Sequence, residues 1–242
     1  MAGSLYLGSQ RVCPAILMGG GGYTEFPCYK VENGLASRIS GNLIGNEFTD
    51  ITSVGEKGFY YAFYGCSGLV GRLNLSSLTS VGEEGFYYAF YGCSGLTGLD
   101  LSSLTTVGVR GFPYAFYGCS GLSGVLDLSK VTTIGERGMQ HAFDECTNLT
   151  SVDLSSLNSI RKYGFYFAFR GCSGLKSIYF NSLKSNSVDE GTSFRSMLYL
   201  VNGCTVHFPS NLEAVIGGWS DVVGGFGGTN TTVLYDLEPT EN

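Results

Sequence analysis

The chain has 242 residues, 43% hydrophobic and only 14% charged, with 37 glycines: enough apolar material for a continuous core, and turn formers in excess. Its net charge of −6 lacks the basic footprint of a nucleic-acid binder. No apolar run reaches the ~18 residues of a membrane span.

The opening, "MAGSLYLGSQRVCPAILMGGGG", has one arginine and a short apolar patch, unlike a secretion signal. Either a leader has been trimmed or the protein leaves its cell by another route. The "GGGG" at 19–22 reads as a linker or turn, since no Lys-Ser/Thr pair follows as in a phosphate loop. Residues 1–45 are expected to form an N-terminal cap or a docking segment. Cys13 and Cys28 are the one pair of cysteines here that offers a bridge, with free thiols the alternative.

A repeat begins near residue 46. "GFYYAFYGCSGL" stands at 58–69 and again at 85–96, and diluted copies start at Gly111, Gly138 and Gly164. Their cysteines, Cys66, Cys93, Cys119, Cys146 and Cys172, are spaced 27, 26, 27 and 26. A second motif keeps step: "LNLSSL" from Leu73, "LDLSSL" from Leu99, "LDLSKV" from Leu126, "VDLSSL" from Val152 and "IYFNSL" from Ile178. Self-similarity at this period defines a solenoid, with about five coils over 46–183.

Within one coil, Leu99-Asp100-Leu101 alternates as a short strand with one buried face. The "SSLTTVG" that follows favours a turn. In the aromatic block, Phe86, Ala89, Phe90 and Cys93 fall at i, i+3, i+4 and i+7, one face of a helix, and the tyrosines fall on the other. Gly92 and Gly95 are placed to end such a helix. Strands spaced ~4.7–4.9 Å apart, backed by helices that need ~8–10 Å, would bend the stack with its sheet on the concave side. The expected fold is an α/β repeat solenoid, a curved stack with short helices on its convex side. Residues 184–242 lose the register, and "TVHFPSNL" and "TTVLYDL" mimic further strands. They read as a C-terminal cap with an atypical last coil.

The order V/I-G, A-F, G-C, L and a strand L-x-L, over roughly 48–183, resembles the BspA-like leucine-rich repeat family. The resemblance implies a bacterial surface or adhesion protein. Two departures stand out. The family's I-P-x-x-V turn is shortened here to Leu101-Ser102-Ser103-Leu104, and six residues, "EEGFYY", separate I-G from A-F where the family has about two. The aromatic segment is therefore this chain's own addition.

Two sets of residues qualify as binding surfaces. Tyr60, Tyr61, Tyr64, Tyr87, Tyr88, Tyr91, Tyr114, Tyr117 and Tyr166 would form an exposed aromatic field, which suits a partner site. Rings that merely stack between coils are the bland alternative. Asp100, Asp127 and Asp153 take one strand position in successive coils, a carboxylate ladder on the concave sheet. Side-by-side like charges need compensation by water, a cation or nearby serines. A solvated face is the plain reading of the ladder and weak calcium binding the sharper one. No nucleophile–base pattern points to an enzyme. No cofactor is implied, and with two histidines in the chain and no two cysteines within four residues of each other the ligand pattern of a zinc site is missing. The expected function is non-enzymatic recognition of a protein or glycan, at the cell surface or secreted. The alternative is a tail-associated component of a phage particle.

Overall fold

The computed structural model describes the backbone of the strands between residues 4 and 43. With side chains it describes residues 48, 51–184, 188, 192–213 and 228–237. The bridge between Cys13 and Cys28 and the glycine run at 19–22 lie outside the described residues.

Three antiparallel hairpins come first: Ser4–Leu7 with Gln10–Pro14 (β1, β2), Ile16–Leu17 with Tyr23–Thr24 (β3, β4) and Tyr29–Glu32 with Leu35–Arg38 (β5, β6). The stack then begins with β7, Gly41–Leu43. Each coil contributes a two-residue strand and a longer one. The strands are β8 (Ser53–Val54), β9 (Leu69–Asn74), β10 (Ser80–Val81), β11 (Leu96–Asp100), β12 (Thr106–Val107), β13 (Ser123–Asp127), β14 (Thr133–Ile134), β15 (Asn148–Asp153), β16 (Ser159–Ile160) and β17 (Ser177–Tyr179). After them come β18 (Thr205–Pro209) and β19 (Thr232–Leu237).

All pairings from β7 onward are parallel. The longer strands form one wall, in the orders β11-β9-β7 and β13-β15-β17-β18-β19. The short strands form a second, β16-β14-β12-β10-β8. The repeat does not stop at residue 183. Phe194, Met197, Leu198 and Val201 are buried like Phe165, Ala168, Phe169 and Cys172, and β18 continues the strand wall. In its described residues the last coil keeps the backbone pattern of the repeat although its sequence has drifted.

The third wall corrects the helical expectation: the repeats contain no α-helix among the described residues. Gly58, Tyr60, Ala62, Tyr64 and Cys66 each donate to the carbonyl three residues back, closing a run of overlapping β-turns. Lys57, Phe59, Tyr61, Phe63 and Gly65 donate instead to Glu83, Gly85, Tyr87, Ala89 and Tyr91 of the next coil. Every second amide therefore serves the turn, and every other one serves the stack. One residue in four has positive φ: Lys57 at 54°, Tyr61 at 54° and Gly65 at 65°. These are the third positions of type II turns, which require such a conformation. Pro113 stands directly before Tyr114, whose φ is 55°, the favoured place for proline in that turn. A four-residue turn period still buries i, i+3, i+4 and i+7, because over eight residues it barely differs from the 3.6 of a helix. Phe59, Ala62, Phe63 and Cys66 are accordingly all buried.

The curvature argument falls with the helix. Rings on the turn wall repeat at 4.9 Å (Phe59–Phe86) and 4.8 Å (Phe63–Phe90) in the first coils and at 5.3–5.8 Å from Phe90 to Phe169, well short of the ~8–10 Å of packed helices. The helix-to-strand mismatch that would bend the stack into a concave sheet is therefore missing. The fold is a β-solenoid of about six turns, hydrogen-bonded on three sides.

The core is a set of columns. Phe90, Phe116, Phe143 and Phe169 stack at 5.3, 5.3 and 5.8 Å. Beside them each thiol donates to a phenylalanine carbonyl of the preceding coil: Cys93 to Phe63, Cys119 to Phe90, Cys146 to Phe116 and Cys172 to Phe143, at 3.0–3.1 Å. Burial pushes the Cys119 thiol up to about 12 and raises those of Cys146 and Cys172 as well. These cysteines are structural donors held in the thiol form.

Candidate functional site

The tyrosines occupy the turn wall in three columns. Tyr60 stacks on Tyr87 at 4.8 Å. Tyr64, Tyr91 and Tyr117 stack at 4.8 and 4.7 Å. The central column runs Tyr61–Tyr88–Tyr114–His141–Phe167, at 5.0, 4.6, 4.5 and 4.9 Å, with interplanar angles of 4–20°. Each of these five residues sits at φ between 51° and 55°, a conformation that costs a non-glycine residue ~1–2 kcal/mol. Stacked pairs contribute ~0.5–1.5 kcal/mol each beyond their buried area, which offsets that strain.

The columns decide what the wall presents. Both ring faces of Tyr88, Tyr91 and Tyr114 are covered by neighbouring rings, so in the middle of the wall edges and hydroxyls are left for solvent, while Tyr166 meets His141, Tyr163 and Phe167 edge-on. Tyr61, at 38% exposure, is the most open of the nine, and the others are half-buried. Burial raises the pKa of Tyr61, Tyr87, Tyr88, Tyr91 and Tyr114. For Tyr117, burial together with Glu145 and Asp144 pushes it up to about 12. All remain neutral hydroxyls near pH 7, able both to donate and to accept.

In the fourth coil the wall changes character. Gln140, His141, Asp144 and Glu145 replace the aromatic and glycine positions. Sequence comparison reads these columns as solvent-facing, yet Asp144 is fully buried, at 0%. Its Oδ2 lies 2.7 Å from His141 Nδ1, and its Oδ1 accepts from Arg170 Nε at 3.0 Å. A second guanidinium nitrogen of Arg170 donates to Glu145 at 3.1 Å. His141 is held between Tyr114 and Phe167, with Tyr166 edge-on at 5.8 Å. An imidazole–carboxylate pair is also a common catalytic element. Here the carboxylate is bound by Arg170 as well and both imidazole faces are covered, so the geometry is that of a packed polar network in which only Asp144 is fully buried. One signal in the sequence pointed to it: Asp144 and Arg170 follow Tyr117 in one column, opposite charges in consecutive coils.

The aspartates lie on the strand wall. Asp127 and Asp153 are in register on β13 and β15, whereas Asp100 is paired with Asn74 on β9. Each caps its own turn: Asp100 accepts from the Ser102 amide, Asp127 from Ser129 and Asp153 from Ser155, at 2.9–3.1 Å. Asp100 also binds Arg72 at 3.0 Å. Burial opposes ionisation of Asp100, but the hydrogen bonds from Ser102 and Arg72 prevail and hold its pKa below the usual value. These contacts supply the compensation that a carboxylate row requires. Among the described residues, no group of three or more His, Cys, Asp or Glu is placed to hold a metal ion. His207 Nδ1 lies 3.0 Å from Asp236 and its ring stacks on Tyr179 at 4.6 Å, a packed pair at the end of the strand wall.

The repeat geometry agrees with the family comparison. The model of the BspA type leucine-rich repeat region, in six copies, matches residues 48–166 and 87–215. The chain belongs to this family. Among solved structures it is similar to the T. pallidum leucine-rich repeat protein TpLRR, at 22% identity and a TM-score of 0.41, over 80% of this chain and 86% of that one. A TLR13–ssRNA13 complex matches at 17% identity and a TM-score of 0.38, over 79% of this chain and 24% of that one. No curated protein matches the sequence.

Proposed function

We propose that the protein is a non-enzymatic recognition module whose turn wall binds a protein partner. The observation that carries this reading is the orientation of the tyrosines. Their stacking is internal, but three columns of neutral hydroxyl-bearing edges face outward on a rigid frame. Rigid tyrosines give wide contact area at little entropic cost, and their hydroxyls find partners in a polar interface. Spent ring faces argue against sugar rings stacking along this wall. A leucine-rich repeat scaffold, generally non-catalytic, is consistent with that role, and the family's association with bacterial surfaces favours a site of action on the cell envelope.

A photo-reactive phenylalanine analogue at Tyr61 tests the wall, with the same analogue at Thr106 on the short-strand wall as control. Exposed to cells of the producing culture and their released particles, the Tyr61 form should cross-link one component and the Thr106 form none. Equal yield from both positions would reject the wall. Immunogold labelling of the culture then separates the settings: gold on envelopes supports an adhesin, and gold on virions a phage attachment component.

A further inference from the structure

The strand wall is interrupted at one place. β11 pairs with β9 and β13 with β15, but β11 and β13 do not pair with each other. Elsewhere the residue that follows each strand donates to the next coil: Leu75 to Asp100, Leu128 to Asp153, Leu154 to Tyr179 and Phe180 to His207. The equivalent bond from Leu101 to Asp127 is not made. Chain length contributes to the gap without sufficing for it: the first coil, with "LVGRLNL", is also one residue longer than the second, and β9 and β11 stay paired by absorbing that residue at Gly71, with φ of 97°. The third coil reads "LSGVLDL" where the second reads "LTGLDL". The additional residue is taken up at Gly124, with φ of 81°, and leaves Val125 63% exposed.

The seam opens into a groove of about 420 Å³, lined by Arg72, Asp100, Ser102, Ser123, Val125 and Asp127 among others. That volume falls in the range of small-molecule sites. Its occupant is constrained by the rest of the molecule. An added peptide strand needs ~4.7–4.9 Å on either side. The other two walls hold these coils at a single spacing, through β10-β12-β14 pairing and through Tyr91–Tyr117 at 4.7 Å. A strand cannot enter. Charge narrows the choice further. A cation would meet Arg72, and an anion would meet Asp100 and Asp127. A neutral ligand with closely spaced donors and acceptors can use both signs together, with the oxygen of Ser123 as a further acceptor, its hydroxyl donating to the Thr97 carbonyl across the seam at 3.3 Å.

We propose that this seam is a binding site for a neutral saccharide unit. Ring hydroxyls donate to Asp127 Oδ2, the oxygen not used in capping Ser129, and accept from Arg72. Exposed Val125 offers apolar surface to the C–H face of the ring.

The test is an amide NMR titration of the full ¹⁵N-labelled chain with glucose, galactose, mannose and N-acetylglucosamine, and with glucosamine and glucuronate as charged controls. At least one neutral sugar should saturably shift the Leu101, Ser102 and Val125 amides. Asp127→Asn and Arg72→Gln should each weaken that binding at least about fivefold, as for a lost hydrogen bond to a charged group. Deleting Val125 should give the third coil the length of the second, close the seam and abolish the shifts. Circular dichroism and thermal unfolding establish that each variant is folded, and the Asn and Gln variants keep the question open should the deletion fail to fold. Cross-linking from Tyr61 should be unchanged in all of them, so failure here is distinct from failure of the wall. No shift with any neutral sugar, shifts confined to the tyrosine wall, binding of the charged controls alone, or full binding by Asp127→Asn would each overturn the proposal.

Discussion

The turn wall is one backbone carrying two chemistries. In the first three coils it holds stacked tyrosines, and in the fourth and fifth it holds His141, Asp144, Glu145 and Arg170. The dihedral pattern is the same in both: φ is 54° at Tyr61 and 51° at His141, 65° at Gly65 and 60° at Glu145. The ladder to the next coil is the same too, as Tyr61 donates to Tyr87 and His141 to Tyr166. The backbone hydrogen bonds thus specify the coil, while the outward columns are free to vary if each side chain satisfies its neighbours above and below. Aromatic columns do so by stacking, and the charged columns by ion pairing. A repeat scaffold of this kind separates stability from surface identity.

The two halves differ most in what a single deletion leaves behind. Removing one ring leaves a gap between others, whereas removing Asp144 takes the buried carboxylate from between His141 and Arg170, while Arg170, 29% exposed, keeps Glu145. Asp144→Ala should cost ~1–3 kcal/mol, as for a buried polar group left without its partner. At ~2–4 °C per kcal/mol for a chain of this size, thermal unfolding should fall by about 6 °C. Adding Arg170→Leu to Asp144→Ala should recover part of the loss, since the guanidinium deprived of Asp144 is removed with its partner. An Asp144→Ala variant as stable as the parent would show that the charged half is ordinary surface.

In the aromatic half, Tyr88 gives a sharper contrast. Its ring touches Tyr61 at 5.0 Å and Tyr114 at 4.6 Å, and its φ is 51°. Tyr88→Ala should lose about 2 kcal/mol, the sum of two stacking terms. Tyr88→Gly loses the same stacking but relieves a left-handed residue, and should be more stable than Tyr88→Ala by ~1 kcal/mol. In a helix the order is reversed, because glycine there is worse than alanine by ~0.8–1.0 kcal/mol. Chemical denaturation of the two variants therefore distinguishes a turn ladder from a helix by the sign of one difference.

Much of this architecture was legible in the repeat. The period, the strand motif and the inward Phe/Ala/Phe/Cys set with its buried thiols all follow from columns of like residues. The turn wall was not legible as such, because eight residues do not separate a period of 4 from one of 3.6. Glycine carried the missing information. A Cβ on Gly95, read as the end of a helix, would lie 2.6 Å from the carbonyl oxygen of Leu69 and 2.8 Å from that of Ser67 in the preceding coil. That glycine marks close approach of two coils and not the end of a helix. Asp144 was hidden for another reason. A charge in a variable column looks solvated unless the next coil is seen to place Arg170 above it. The seam was not legible, because the 27/26 alternation of the cysteine spacing runs through every coil, and β9–β11 and β13–β15 absorb the same one-residue difference that accompanies the unpaired β11 and β13.

The smallest effect concerns alkaline pH and the tyrosine columns. In coils one to three, burial raises the folded-state pKa of Tyr61, Tyr87, Tyr88, Tyr91, Tyr114 and Tyr117 above the value of ~10 expected for an unfolded chain. A raised pKa means that the folded state holds its protons more tightly. Their stabilisation is complete below pH ~10 and is lost as pH climbs through the folded values. Phenolate absorbance should therefore lag the unfolded titration curve and then rise steeply as the stack opens. Replacing Tyr61, Tyr88 and Tyr114 together with Phe preserves the rings and removes three of the late-titrating groups. That variant should keep its neutral-pH stability to within about 1 kcal/mol and unfold at a higher pH than the parent. If it unfolds at the same pH, the central column does not limit alkaline stability, and the two halves of the wall are equivalent in this respect.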